Sequence, residues 1–154
     1  MEHDFTRLKA HILLLSRSKS FERARREWSL VAIEISRELS NCPCGHPIKE
    51  HCFISNRLTG KTTYVGNVCI NRFIGIHTTN LFDGIKRIAQ DRAANANEDL
   101  INHARNCGYL YDGEYAFLLQ TRRKRKWSSK QAAWKEKINR RILNKIVVQR
   151  RGGK

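Results

Sequence analysis

Long apolar runs are missing from this sequence. No stretch of its 154 residues approaches the roughly 18 consecutive apolar residues that a transmembrane helix needs, because serine and charged residues interrupt the hydrophobic segments. The first residues also lack the apolar run of a secretory signal peptide, and disulfides are rare in proteins that stay in the reducing cytoplasm. We therefore expect a soluble, cytoplasmic protein with reduced cysteines.

Motifs typical of enzymes are missing as well. The chain has no phosphate-binding glycine loop, no nucleophile elbow and no pair of catalytic acids. Some nucleases use a small zinc module with a histidine base on a hairpin and further ligands on the next helix. Here His51 lacks a neighbouring carboxylate except Glu50. The helix after the hairpin offers no histidine before Gly75, where it should end, and His77 lies beyond that point. The sequence predicts a protein that is not an enzyme, with a zinc-module nuclease as an alternative.

Acidic residues are few, and the excess of positive charge is concentrated near the C-terminus. The chain has 30 Lys and Arg against 14 Asp and Glu, a formal net charge of +16. Residues 121–154 contain 14 of the basic residues and one acidic residue, a net charge of +13. This density exceeds what solubility requires and is typical of proteins that neutralise nucleic-acid phosphates. An adaptor that docks on an acidic protein or a ribonucleoprotein is the alternative, because it needs the same charges.

The predicted contacts to nucleic acid, DNA or RNA, form two sets. The main set lies in the C-terminal region and comprises Arg122, Arg123, Lys124, Arg125, Lys126, Lys130, Lys137, Arg140, Arg141, Lys145, Arg150 and Arg151. A weaker set lies on the cysteine-rich segment and comprises Lys49, Arg57, Lys61 and Arg72. Trp127 and Trp134 can stack on unpaired bases if they are exposed, but the place of Trp134 on an apolar stripe favours a core role.

Four of the five cysteines lie between residues 42 and 69, namely Cys42, Cys44, Cys52 and Cys69. Two short clusters of this kind can supply four thiolates to a tetrahedral zinc ion. The first two cysteines are separated by a single residue, which is tighter than usual, and His46 or His51 can replace one sulfur as a ligand. Without a metal, the thiols would be buried small hydrophobes. Zinc ligation by four cysteines is the simplest interpretation.

The residues between the cysteines predict how the ligands come together. Pro43 and Gly45 favour a tight turn whose backbone N–H groups can point at the thiolates. Residues 52–55 and 62–65 are rich in β-formers and predict a hairpin. After it, Asn67 can cap a helix that carries Cys69 in its first turn, where the helix dipole favours a thiolate. A turn, a hairpin and a ligand-bearing helix follow one another in a treble-clef-like order.

The remaining cysteine and histidines receive no functional role. Cys107 has no adjacent activating base and is expected to be a buried structural thiol. His3, His11, His77 and His103 have no clustered partners in the sequence, so surface or packing roles are expected.

Outside the cysteine segment, hydrophobic periodicity predicts mostly helices. The chain begins with an amphipathic helix whose apolar stripe is Phe5, Leu8, Ile12 and Leu15. A second short helix is expected to reach Trp28, and residues 30–35 alternate like a strand beside the hairpin. Ser128 and Gln131 have capping-box spacing for a final helix. One side of that helix is predicted to carry Trp134, Ile138, Ile142 and Ile146.

These patterns together predict an α+β fold, mostly helical, with a small zinc-stabilised β-hairpin. The expected divisions are N-terminal helices with a possible strand at 1–41, a zinc-binding module at 42–77, a helical segment at 78–121, and a basic C-terminal helix and tail at 122–154.

The cysteine segment resembles that of small, mostly uncharacterised zinc-binding proteins of bacteria, phages and large DNA viruses. The matching residues are Cys42, Cys44, Gly45, Ile48, Cys52, Asn56, Thr59, Gly60, Val65, Gly66, Cys69 and Ile70. Residues 20–30 and 123–131 are also similar to segments of such proteins. The resemblance implies a metal-organised fold and a relation to phages or mobile elements, and it implies no particular activity.

Overall fold

The chain folds into helices and one small sheet. The computed structural model describes residues 3–148, which form seven α-helices and a three-stranded antiparallel sheet. The helices are α1 (Phe5–Leu14), α2 (Phe21–Ala24), α3 (Asn67–Ile74), α4 (Thr79–Gln90), α5 (Glu98–Asn106), α6 (Asp112–Thr121) and α7 (Ser129–Leu143). The strands are β1 (Trp28–Asn41), β2 (Pro47–Asn56) and β3 (Thr62–Val65). The predicted α+β class is therefore confirmed, and none of the described helices is long and apolar enough to cross a membrane.

Two compact units divide the chain between Thr79 and Asn80. The first unit includes the sheet and the four clustered cysteines. The second unit is helical and includes the basic residues that follow α6.

The sheet has the order β1-β2-β3, with β2 in the centre. The predicted hairpin is present as β2 and β3, which place Val65 opposite Cys52. The strand predicted for residues 30–35 is also present, but it is longer and its pairing with β2 is irregular after Leu30 and after Ile35. Because an irregularity changes which side chains face the core, β1 does not keep a clean alternation along its length.

Aromatic contacts fix helix α3 in the first unit. The ring centroid of Phe73 on α3 lies 5.7 Å from that of Phe21 and 6.4 Å from that of Trp28. Leu8 and Ile12, from the predicted stripe of α1, have no exposed surface. Trp28 was predicted to belong to the second helix and is instead the first residue of β1, because α2 gives way to a short 3-10 turn.

Local signals for helix ends are mostly confirmed. Helix α3 ends at Gly75, whose φ of 80° is the left-handed conformation predicted there. Ser128 and Gln131 form the predicted capping box at the start of α7, each side chain accepting the other's backbone N–H. Asn67 was predicted as a cap and is instead the first residue of α3.

The second unit is built around one apolar core. Its buried residues are Ile88, Ala96, Leu100, Ile101, Ala104, Tyr109, Leu110, Phe117, Leu118, Ile138 and Ile142. They come from α4, α5, α6, α7 and the segments between them. The inward orientation predicted for Ile138 and Ile142 is therefore confirmed.

Helix α7 ends earlier than its predicted apolar stripe. Lys145 has a φ of 52°, and its N–H donates to the Ile142 carbonyl while the Ile146 N–H donates to the Arg141 carbonyl. These two bonds form a Schellman motif, which closes the helix. The prediction that Ile146 extends the stripe of α7 is wrong, and 51% of its surface is exposed.

A buried carboxylate connects the segment after α1 to the sheet. Glu27 is 4% exposed, and its two oxygens accept the N–H groups of Arg17 and Ser18 at 2.8 and 2.9 Å. Its Oε1 also accepts the side-chain amide of Asn56 at 2.9 Å. The bond from Asn56 is the largest cause that lowers the pKa of Glu27, and the two backbone donors lower it further.

We expect Glu27→Gln to lower the melting temperature at pH 7 by several degrees, because glutamine loses the charge that three donors stabilise. A carboxyl whose pKa is lowered by folding adds stability above its unfolded pKa of roughly 4.3, and that stability is lost as the pH falls through the folded pKa. The difference from wild type should therefore shrink at acidic pH. Glu22→Gln, at an exposed glutamate, is the control. Equal melting temperatures for the two variants at pH 7 would contradict the assignment.

Candidate metal centre and basic surface

The turn between β1 and β2 brings two cysteines to one place. The Cys42 N–H donates to the His46 carbonyl at 2.9 Å, and the Gly45 N–H donates to the Cys42 carbonyl at 2.7 Å. Gly45 has a φ of 92°, and the Arg7 guanidinium occupies the space that a Cβ on Gly45 would need. The tight turn predicted from Pro43 and Gly45 is present, and glycine is required in it.

Cys69 meets this turn from the first turn of α3. The Cys42 sulfur accepts a hydrogen bond from the Gly66 N–H at 3.3 Å, and Cys69 lies beside it. The interaction with Cys69, followed by the backbone N–H groups of Cys44 and Gly66, lowers the pKa of Cys42, and the same interaction with Cys42 raises the pKa of Cys69. Donors aimed at a buried sulfur favour the thiolate, which is the form that binds metals.

His3 completes the cluster from the segment before α1. Its Nδ1 lies 3.4 Å from the Cys44 sulfur and 3.9 Å from the Cys69 sulfur. The backbone holds it there, since the Asp4 N–H donates to the Cys44 carbonyl at 3.2 Å. His3 has no clustered partners in the sequence, but the fold returns the start of the chain to a turn about 40 residues later and so places His3 among the possible metal ligands.

The donor atoms of His3, Cys44 and Cys69 lie within 4.8 Å of one another, with Cys42 beside them. Zinc bonds of about 2.3 Å to sulfur and about 2.0 Å to nitrogen, at a tetrahedral angle, hold N and S about 3.6 Å apart. The two distances measured from His3 bracket that value. The cluster can therefore bind a metal ion, and its sulfur and imidazole donors are those that suit zinc.

Cys52 lies on β2 with no exposed surface and does not belong to this group. Its sulfur lies 4.0 Å from the hydroxyl oxygen of Thr78. Burial raises the pKa of Cys52 to about 12, and the charges of Glu50 and Cys42 act in the same direction. Of the four cysteines predicted as ligands, the structure thus gathers Cys42, Cys44 and Cys69 and places Cys52 beside them as a thiol.

The two histidines proposed as alternative ligands have other contacts. The His51 ring is hydrogen-bonded through Nε2 to the Ser40 hydroxyl at 2.6 Å and through Nδ1 to the Lys49 carbonyl at 3.1 Å. The His46 ring stacks on that of His3, with centroids 4.0 Å apart. In the described part of the chain, neither histidine belongs to the group of close ligand atoms.

Cys107 lies at the end of α5, with its sulfur 3.5 Å from His103 Nε2. Burial raises the pKa of Cys107 and lowers that of His103, so both groups favour their neutral forms. A neutral thiol beside a neutral imidazole is not an activated nucleophile. The expected burial of Cys107 is only partial, since the residue is half-buried.

The predicted phosphate contacts differ in exposure. The loop between α6 and α7 exposes four consecutive cations, Arg123, Lys124, Arg125 and Lys126, which we call the basic loop. Lys130 and Lys137 of α7 are exposed as well. In the first unit, the exposed members of the weaker set are Lys49, Arg57, Lys61 and Arg72. Arg150 and Arg151 lie outside the described residues.

Other predicted contacts are engaged within the fold. Arg141 donates to both carboxylate oxygens of Glu114, and the two side chains are 12% and 8% exposed. Arg140 pairs with Glu136 at 2.9 Å, and Arg122 donates to the Leu119 carbonyl at 2.7 Å. Lys145 is half-buried in the turn that closes α7. Arg141 therefore stabilises the fold and is not free for a phosphate.

The two tryptophans of the basic region differ in packing. The Trp134 ring stacks on Phe117 with centroids 4.1 Å apart, yet 39% of the residue is exposed. Trp127 is half-buried, and the Lys135 ammonium lies 5.3 Å from its ring centroid. Lys135 itself has no exposed surface. Sequence reasoning missed this burial because Lys135 lies among other lysines.

No family model, curated protein or solved structure matches this chain.

We expect Gly45→Ala to weaken the binding of a divalent metal such as Co²⁺ or Zn²⁺ roughly five- to thirtyfold. Alanine in a left-handed conformation costs about 1–2 kcal/mol, and here it also displaces the Arg7 side chain from the turn that carries two ligands. Gly60→Ala is the matched control, because Gly60 has a φ of 72° and no atom within 4 Å of an added Cβ. Competition with a chromophoric chelator measures both variants. Equal losses would show that the turn at Gly45 has no special part in metal binding.

Proposed function

We propose that this protein is a non-catalytic, zinc-containing nucleic-acid-binding protein. The basic loop makes the main phosphate contacts, and Lys130 and Lys137 of α7 add to them. The observation that carries this proposal is the basic loop itself: four consecutive exposed cations that pair with no carboxylate among residues 3–148. Neutralising phosphates releases condensed counterions, so such a loop binds polyanions strongly at low salt.

The backbone of the basic loop is held in place, which supports a binding role. The Lys124 carbonyl accepts the side-chain amide of Asn95 at 2.7 Å, and the Lys124 N–H donates to the Thr121 carbonyl at 3.1 Å. A loop that is already ordered loses less conformational entropy when it binds a ligand. The anchored backbone therefore presents the four side chains without a large ordering cost.

Zinc is the proposed metal, and His3, Cys42, Cys44 and Cys69 are its proposed ligands, in a treble-clef-like module. Three thiolates and one imidazole are a common structural zinc set, and softer donors exclude Mg²⁺ and Ca²⁺. With four protein ligands the metal has no open position for water, which favours a structural role. The five free thiols suit a reducing compartment, and we propose a cytoplasmic location.

A zinc-module nuclease is less well supported. Such an enzyme needs a histidine that can accept a proton beside the metal. Both nitrogens of His51 are engaged by Ser40 and Lys49, and His77 is exposed beyond the end of α3. Neither lies in the group of close ligand atoms within the described residues.

An adaptor that docks on an acidic protein is the second candidate. Trp134, Ile146 and Val147 are exposed at 39%, 51% and 64%, all on or just after α7. Exposed apolar residues next to basic ones fit a protein partner as well as a polyanion. Binding to random oligonucleotides separates the two candidates: salt-sensitive binding in the absence of any other protein supports nucleic-acid binding, whereas an adaptor needs its acidic partner.

We expect Cys44→Ser and Cys69→Ser each to lose the bound zinc and to lower the melting temperature sharply, because a structural zinc ion contributes directly to folding stability. Cys52→Ser and Cys107→Ser should keep one zinc per chain. Metal analysis after dialysis, with thermal unfolding of the same samples, measures these outcomes. Loss of zinc in Cys52→Ser would instead support ligation by the four cysteines Cys42, Cys44, Cys52 and Cys69. Full zinc content in Cys69→Ser would reject the site.

We expect replacement of all four basic-loop cations by Gln to weaken binding to mixed-sequence DNA and RNA and to reduce the salt slope. Each lost contact lowers the slope of log K against log salt by about 0.9 for duplex and about 0.7 for single strands, hence by roughly 3 to 4 in total. Replacing Lys49, Arg57, Lys61 and Arg72 by Gln is the control, since it removes the same charge. Equal effects would show that net charge alone drives binding. An unchanged slope in the loop variant would exclude the basic loop as the contact.

A further inference from the structure

Lys135 is buried without a counter-ion. The side chain has no exposed surface, and its Nζ donates to the Thr121 hydroxyl at 2.6 Å. The same Nζ lies 5.0 Å from the ring centroid of Phe117 and 5.3 Å from that of Trp127. In the part of the chain that the structure describes, no carboxylate pairs with it. One hydroxyl and two ring faces compensate a buried ammonium only in part.

The charged group that acts on Lys135 has the same sign. Helix α6 contributes Thr121 and Phe117 to its surroundings, and the segment between α6 and α7 contributes Trp127 and Lys124. Burial, followed by the repulsion from Lys124, lowers the pKa of Lys135 to about 8. A buried cation is thus held next to Trp127 and is repelled by a cation of the basic loop, Lys124. Such an arrangement lowers the stability of the unbound protein and favours an anion at the loop.

We propose that a phosphate of the bound nucleic acid is the missing counter-ion of Lys135, held at a subsite that Lys124 and Trp127 form above the buried ammonium. This inference rests on the proposed function and assigns one phosphate position within it. Lys135 does not touch the phosphate, because it has no exposed surface. It acts through its charge and by supporting the Trp127 ring, so it is a positioning residue.

The subsite makes binding depend on the protonation of Lys135. A phosphate stabilises the charged ammonium, so the pKa of Lys135 is higher in the complex than in the free protein, and binding takes up a proton. Affinity is therefore highest below about pH 8 and falls as the pH rises through the free and then the bound pKa. Phosphodiesters do not titrate in this range, so a change of affinity there comes from groups of the protein, and comparison with a variant that lacks Lys135 assigns it.

The test compares wild type with Lys135→Met for binding to a mixed-sequence single-stranded DNA between pH 7 and pH 9.5 at fixed salt. With a free pKa of about 8, a pKa increase of one unit on binding corresponds to a roughly sevenfold loss of wild-type affinity between pH 7 and pH 9.5. Lys135→Met should bind several-fold more weakly at pH 7 and show no such pH dependence. Without DNA it should melt at the same temperature or higher, because methionine removes a buried charge. Lys130→Met, which removes an exposed lysine of α7, should weaken binding while keeping the wild-type pH dependence.

The outcomes separate this inference from the proposed function. If the wild-type affinity does not change with pH, or if Lys135→Met retains the wild-type pH dependence, Lys135 is only a structural residue and the subsite is rejected. If wild type fails to bind DNA or RNA at low salt, the proposed function fails and the subsite fails with it. Should Lys135→Met not fold, calorimetry of wild type at pH 8 in two buffers of different ionisation enthalpy decides: proton uptake on binding supports the subsite, and its absence rejects it.

Discussion

The first unit depends on the meeting of three distant segments at the turn between β1 and β2. Cys42 and Cys44 lie in that turn, Cys69 begins α3, and His3 precedes α1. Joining residues 3 and 69 closes a loop of more than 60 residues, which is entropically costly in an unfolded chain. The apolar packing of α1 and Phe73 supplies part of the compensation, and a metal bound at the cluster would supply more. This explains how a small sheet and three helices can form a compact unit.

The second unit contains buried or nearly buried charged side chains beside its apolar core. Glu114 and Arg141 form a nearly buried pair with two hydrogen bonds, which compensates both ions. Lys135, two turns earlier on α7, has no such partner among the described residues. Helix α7 therefore carries one buried cation that is paired with a carboxylate, Arg141, and one that is not, Lys135. The uncompensated Lys135 is close to Trp127 and is repelled by Lys124 of the basic loop, which the proposed function uses.

The features that could be predicted from the sequence are those formed by residues close to one another in the sequence. The turn at Gly45, the end of α3 at Gly75 and the capping box of α7 were predictable, because each is encoded within a few residues. His3 was missed as a candidate ligand because the two cysteines near it lie about 40 and 66 positions away in the sequence. Lys135 lies three and seven residues before Ile138 and Ile142, so helical spacing places it on the buried side of α7, but a lysine at such a position gives no apolar signal that it is buried. Arg141 was missed because its partner Glu114 lies 27 positions away.

The structure also changes how much of the C-terminal charge is available to a polyanion. From the sequence, residues 121–154 have a net charge of +13. Arg141 is neutralised by Glu114, Arg140 shares its charge with Glu136, and Lys135 is buried. Six exposed and unpaired cations remain among the described residues of this region, namely Arg123, Lys124, Arg125, Lys126, Lys130 and Lys137. Six phosphate contacts correspond to a salt slope of about −5 on duplex and about −4 on single strands. Binding governed by net charge alone would instead scale with the whole C-terminal region, so the magnitude of the slope distinguishes a defined contact surface from diffuse attraction.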